Sequence, residues 1–159
     1  MTPLPKPHPI IVFDGECRLC IASLRFVENR DRHQEFRYVP FQSAAGRVVM
    51  ERLAMDPAAL DSFVLLEQGR AFAKSAAWSR ILLALAFPWS WWGWGMRLVP
   101  TAIGDHVYDF VGRHRLSWFG RNETCVWPAP DDPLGADLAE VHAALDGFAP
   151  GKRSASGTR

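Results

Sequence analysis

The chain has 159 residues, 48% of them hydrophobic, and a formal net charge of +1, enough apolar material for one ordinary domain that needs no disulfide staple. Both signs of charge are scattered, so there is neither a nucleic-acid footprint nor a strongly acidic surface, and no nucleic-acid partner is expected. Three cysteines, two close together and one distant, exclude a small secreted disulfide scaffold and point to redox chemistry or metal in a reducing compartment, so a cytoplasmic location is expected.

The proline-rich start lacks the apolar core of a secretory signal and reads as a disordered lead over residues 1–8. A run of apolar residues, Ile10 to Phe13, predicts a buried first strand. It passes through Asp14-Gly15-Glu16 into a helix expected over Leu19 to Arg30, where Cys20, Leu24 and Val27 repeat at the spacing of one apolar face. Cys17 and Cys20 sit at this corner. Residues three apart on a helix lie about 5–6 Å apart, a span a disulfide tolerates, so the pair can open and close with little backbone movement.

The two cysteines differ. Cys20 is expected to face inward, and Cys17 to stand exposed at the helix entrance, where free backbone N–H groups and the positive end of the dipole favour a thiolate. Arg18 favours that anion while Asp14 and Glu16 oppose it, leaving the sign of the net shift open. Asp14 has two readings, as the helix cap or as acceptor of the resolving thiol's proton.

Phe36 to Phe41 predicts a second strand and Ala44 to Leu53 a second helix. Ser62 to Glu67, Gln68-Gly69 and Arg70 to Ala73 predict a hairpin, followed by a helix over Ser75 to Leu85 capped by Ser75. The order βαβαββα is the minimal thioredoxin-like arrangement. From Phe87 the Pro- and Gly-broken run of tryptophans predicts a connector or short hairpin. Between Arg80 and Arg97 lie sixteen uncharged residues, fewer than the about 20 that cross a bilayer. The aromatic cluster is expected to cover the core as a lid, with peripheral membrane contact through Trp89, Trp91, Trp92 and Trp94 as the alternative. Helices are expected over Val107 to His114 and Ala136 to Leu145, a turn or short helix over Leu116 to Arg121, a linker over Pro128 to Pro133, and a polar tail over 149–159.

A zinc site made of Cys17, Cys20 and Cys125 with His114 or His106 is the competing use of the cysteines, but the second half lacks a tight ligand pair. Cys125 otherwise reads as a buried or idle thiol, or as a third redox partner.

Asp14-Gly15-Glu16-Cys17-Arg18-Leu19-Cys20 closely resembles the signature of the DCC family, named for its Asp-x-x-Cys-x-x-Cys motif. Lys74-Ser75-Ala76-Ala77, Phe87-Pro88-Trp89, Val99-Pro100, Asp105-His106-Val107-Tyr108-Asp109, Trp118-Phe119-Gly120 and the later Cys125 resemble its second half, so the likeness runs from about Pro9 to Trp127. His114 and Leu116 depart from a family block ending Asn-Arg-Tyr. The position where thioredoxins carry a cis-proline falls near Asp61 or Ser62, and Pro57 is too early. The resemblance implies a thioredoxin-like fold and protein-disulfide reductase-type activity, with Asp14, Cys17 and Cys20 at the three signature positions.

The expectation is therefore a single α/β domain over 9–148, a thioredoxin-like core with an aromatic-rich, helical C-terminal extension from about residue 86. It exchanges dithiol for disulfide with a disulfide-containing protein or small thiol, Cys17 attacking and Cys20 resolving, and needs no cofactor or metal; its electron donor is unnamed. A non-catalytic binding module with a structural or zinc-holding cysteine pair, whose aromatic segment grips a partner or membrane surface, is the alternative.

Overall fold

The first strand, β1 (Ile10–Phe13), is buried along its whole length because it has a strand on either side and helices above and below. In the computed structural model, which describes residues 8–55, 63–123 and 134–146, β1 pairs in parallel with β2 (Arg37–Pro40) and antiparallel with β3 (Val64–Glu67). β3 turns antiparallel into β4 (Arg70–Ala73), giving the sheet order β2-β1-β3-β4. The two-residue turn between β3 and β4 has φ of 50° at Gln68 and 69° at Gly69, the positive pair that suits the twist of a hairpin.

Side chains alternate across β1. Ile11 and Phe13 enter a core with Leu24 and Val27 of α1 (Arg18–Glu28) and Ala77 and Ile81 of α3 (Lys74–Ala84). Ile10 and Val12 enter a second core with Val49 and Met50 of α2 (Ala44–Arg52) and Val141 and Leu145 of α6 (Leu138–Asp146). Helices thus cover both faces of a mixed sheet, with a parallel β1–α1–β2 crossover and an antiparallel β3–β4 hairpin: a thioredoxin-like fold. Ser43 caps α2 by accepting the Gly46 N–H at 3.0 Å. Gly46 has no space for a side chain, since a Cβ would lie 2.2 Å from the Pro40 carbonyl oxygen. Outside β2, Tyr38 N–H donates to the Leu134 carbonyl at 2.8 Å, which leads the chain into α6.

The extension departs from several sequence expectations. Trp89–Leu98 forms a helix, α4, where a connector or hairpin was expected. Pro88 stands at its N-cap, where no backbone donor is needed, and Gly93 lets α4 press on α3, a Cβ there reaching within 2.8 Å of Leu83 N. Packing overrides the poor local propensity. Thr101–Phe119 is one continuous helix, α5, in place of a helix plus a turn. Ser75 does not cap α3, whose N-cap is Ala73; instead the Asp105 carboxylate of α5 accepts both the Ser75 N–H, at 3.3 Å, and the Ser75 hydroxyl.

The tryptophans divide. Trp89 packs edge-on against Phe26, ring centroids 4.8 Å apart, but Trp91, Trp92 and Trp94 are 74%, 68% and 62% exposed, so they do not form the expected lid. Among the described residues no helix is long and apolar enough to cross a membrane. Cys125, Pro57, Asp61, Ser62, the Pro128 to Pro133 linker, residues 1–7 of the lead and the 149–159 tail lie outside the described residues.

Candidate functional site at the entrance of the first helix

The chain leaves β1 at Asp14 and turns, the Cys17 N–H reaching back to the Asp14 carbonyl at 3.3 Å. Cys17 is extended (φ −79°, ψ 114°) and is itself the N-cap of α1, its sulfur accepting the Cys20 N–H at 3.3 Å. Asp14 is therefore not the cap. Its Oδ1 accepts the Gln42 side-chain amide at 2.8 Å and the Glu16 N–H at 3.0 Å, while the Gly15 N–H donates to Gln42 Oε1 at 3.1 Å. Gln42, from the loop before α2, thereby clamps the turn.

One residue that sequence reasoning passed over completes the site. Arg115 of α5 is buried; its Nη1 donates to Cys20 Sγ at 3.5 Å and its Nη2 lies 3.6 Å from Asp14 Oδ2. Its signal was faint: Tyr108, Val111 and Gly112, and Arg115 follow at helical spacing on the inward side of α5, a side that Asp105 and Asp109 share. Arg115 is also the middle of the block in which His114 and Leu116 depart from the family pattern, and the arginine itself makes the contact.

Electrostatics separates the two sulfurs. The Cys17 thiol is pulled from 9.0 down to about 6, chiefly because Cys20 donates its side-chain hydrogen bond to it; burial opposes this, and the Cys20 N–H and the Arg115 charge add to it. Cys20 is pushed the other way, first by donating to Cys17 and then by burial. The open question of sign is thus settled toward a thiolate at Cys17, and Asp14 acts against it. The two cysteines are not bonded to each other.

The expected exposure of Cys17 is overturned: it is 0% exposed, and Cys20 is 7% exposed. After α5 the chain turns at Gly120 (φ 77°), a conformation that favours glycine, and Arg121 forms an isolated antiparallel bridge across Cys17. Asn122 N–H donates to the Glu16 carbonyl at 2.8 Å, Arg18 Nε donates to Asn122 Oδ1 at 3.0 Å, and Arg121 Nε lies 3.4 Å from Glu16 Oε2. This short cover comes from a part of the chain more than a hundred positions away.

Two further motif blocks meet at the far side of α5. Lys74 Nζ lies 2.7 Å from Asp109 Oδ1, and Ser75 is held by Asp105, so the start of α3 and the middle of α5 are locked together. His114 Nδ1 donates to the Phe110 carbonyl, 2.8 Å away, and its ring stacks on Trp118. His106 lies on the exposed surface of α5. Among the described residues no group of three or more His, Cys, Asp and Glu converges as a metal site.

A mixed sheet in the order β2-β1-β3-β4 with a cysteine pair at the first helix entrance defines a thioredoxin-like dithiol protein. The chain belongs to the DCC1-like thiol-disulfide oxidoreductase family, whose model matches residues 11–121. It is 31% identical over 130 residues to the uncharacterized protein YuxK of Bacillus subtilis, covering 82% of this chain and 94% of that one. It is 32% identical over 118 residues to a chloroplastic DCC family protein of Arabidopsis thaliana, covering 74% and 69%. No solved structure matches the chain. Family membership suggests a redox function.

Proposed function

We propose that the protein is a disulfide reductase in which Cys17 attacks and Cys20 resolves. The Cys17 thiolate attacks one sulfur of a substrate disulfide; a mixed disulfide forms, the substrate S–S bond breaks, and the first substrate sulfur leaves as a thiolate. The Cys20 sulfur then attacks Cys17, closing the Cys17–Cys20 disulfide and releasing the second substrate thiol with the proton that Cys20 carried. Two electrons pass from the protein to the substrate.

The observation that carries this reading is the 3.3 Å hydrogen bond from the Cys20 N–H to the Cys17 sulfur, which favours negative charge on the attacking atom at a helix entrance. Asp14 serves as a positioning residue. It opposes the thiolate directly but holds Arg115, whose charge supports it. Attack on a bulky disulfide requires the 120–122 cover to part; its hold is the Arg121 bridge to Cys17, the Asn122 N–H on the Glu16 carbonyl, and the side-chain pairings of Arg121 with Asp14 and Glu16 and of Arg18 with Asn122. A reducing compartment such as the cytoplasm suits a dithiol that works in this direction.

Reduction of insulin or of a small disulfide tests the reading. Cys17→Ser abolishes turnover, and Cys20→Ser accumulates a protein–substrate mixed disulfide that mass spectrometry detects. Wild-type turnover in both variants refutes it.

A further inference from the structure

Beside the dithiol, α1, α3 and α5 enclose a cavity of about 620 Å³, within the about 300–1,000 Å³ of small-molecule sites. Its lining on α5 runs from Thr101 to Arg115, fourteen residues along a helix that rises about 1.5 Å per residue, so the space is elongated. Leu19, Cys20 and Arg115 line one end. Val99, Ile103 and Val107 line the other, and these are also exposed to solvent, which makes that end the mouth. Met96 and Arg97 of α4 also line the cavity.

We propose that this cavity seats the apolar body of an uncharged, low-molecular-weight disulfide, with its sulfurs delivered to the Cys20 end, one helical turn from Cys17. The inference rests on the exchange reading above and names its substrate class. Three observations select that chemistry. The walls between mouth and dithiol are mostly apolar, with Phe63, Trp78 and Val111 among them, and their polar groups are the neutral hydroxyls of Ser23, Ser75, Ser79 and Tyr108, so a charged ligand would lose its hydration with no opposite charge to replace it. At the sulfur end the Arg115 and Arg121 charges face the Asp14 carboxylate, 3.6 and 3.7 Å away, with the Cys17 sulfur as a second negative centre, so no unopposed cation waits there for an anionic ligand. Among the described residues lining the mouth the cation is Arg97, which is exposed and lies 5.5 Å from the Trp94 ring centre, where water screens it.

Two measurements on the full chain test this. The first is binding of diphenyl sulfide, an uncharged thioether that cannot exchange, followed by calorimetry on wild type and on Val107→Trp and Ala76→Phe, which narrow the mouth and fill the wall. Saturable binding to wild type, weakened about tenfold or more in either variant that retains the wild-type circular dichroism spectrum, is the expected result. The second compares reduction rates of uncharged 2,2′-dithiodipyridine and doubly anionic 5,5′-dithiobis(2-nitrobenzoate), each divided by the rate with a free thiol at the same pH. The expected result is preference for the uncharged compound, with Val107→Trp reducing or erasing that preference. Absence of saturable binding to wild type, or equal normalised rates, overturns the proposal even when exchange itself proceeds. Thioether binding in a protein that reduces neither disulfide refutes the exchange reading and with it the assignment of the ligand as a substrate.

Discussion

The Arg115 guanidinium lies 3.5 Å from the Cys20 sulfur, although the two residues are 95 positions apart in the chain. The contact couples the C-terminal half of α5 to the entrance of α1 and, through Asp14 Oδ2 at 3.6 Å, to the end of β1. An arginine buried here is tolerable because a carboxylate opposes it and a polarisable sulfur accepts from it.

Removing Arg115 leaves the buried Asp14 with the half-exposed Arg121, 3.7 Å away, as its counter-charge. Arg115→Met is expected to lower stability by about 3 kcal/mol and to raise the Cys17 pKa, since the Arg115 charge is one of the forces holding it down. Asp14→Asn combined with Arg115→Met restores part of the loss. Urea denaturation of both single variants and the double variant checks this; strictly additive losses would show that the two residues do not act as a pair.

The pH dependence follows from Cys17. Alkylation of Cys17 by iodoacetamide, located by mass spectrometry, is expected to rise with a midpoint at about 6 rather than at the ordinary 9.0, and to level off above it. Because the folded pKa lies below the unfolded one, the stabilising contribution of the thiolate is fully present above about 9 and is lost as pH falls through about 6. Cys20 has the opposite sign: its raised pKa favours the folded state below the ordinary thiol range and ceases to do so as pH climbs above it. The denaturation midpoint of the reduced protein should therefore increase between those two pH values, and a flat profile would contradict the assignment.

Access to Cys17 is governed by the Gly120–Asn122 turn. Arg121→Ala with Asn122→Ala removes the Arg121 ion pairs to Glu16 and, at 3.7 Å, to Asp14, together with the Arg18 hydrogen bond, while the Asn122 backbone bond to Glu16 and the Arg115 pairing of Asp14 remain. Exposed pairs of this kind contribute about 0.2–1 kcal/mol each, so alkylation of Cys17 is expected to accelerate about fivefold with little change in global stability. An unchanged rate would mean that the sulfur is reached by another route.

Gly46 offers a check on the fold that is remote from the dithiol. A methyl group there would lie 2.2 Å from the Pro40 oxygen and 2.5 Å from Phe41 Cα, both backbone atoms that cannot swing aside. Although alanine is the better helix former, Gly46→Ala is expected to destabilise by about 1–3 kcal/mol as α2 shifts off the end of β2. Thermal denaturation measures it, and a gain in stability would show that the loop gives way freely.

Much of this was legible in the chain itself. The Ile10 to Phe13 run, the Cys20, Leu24 and Val27 stripe and the Gln68-Gly69 turn carry their structural meaning in periodicity and turn chemistry, which operate over a few residues. They determined the βαβαββα order and put a cysteine pair at a strand-to-helix corner. Only tertiary structure decided the rest. That Cys17 is covered depends on Arg121, that its thiolate is supported depends on Arg115, that α3 is capped depends on Asp105, and that the α4 run is helical depends on Gly93 meeting α3. It also left Trp91, Trp92 and Trp94 in solvent. The physical reason is the same in each case: burial and charge pairing are set by which distant segments come to lie within a few ångströms, and local periodicity carries no record of that distance.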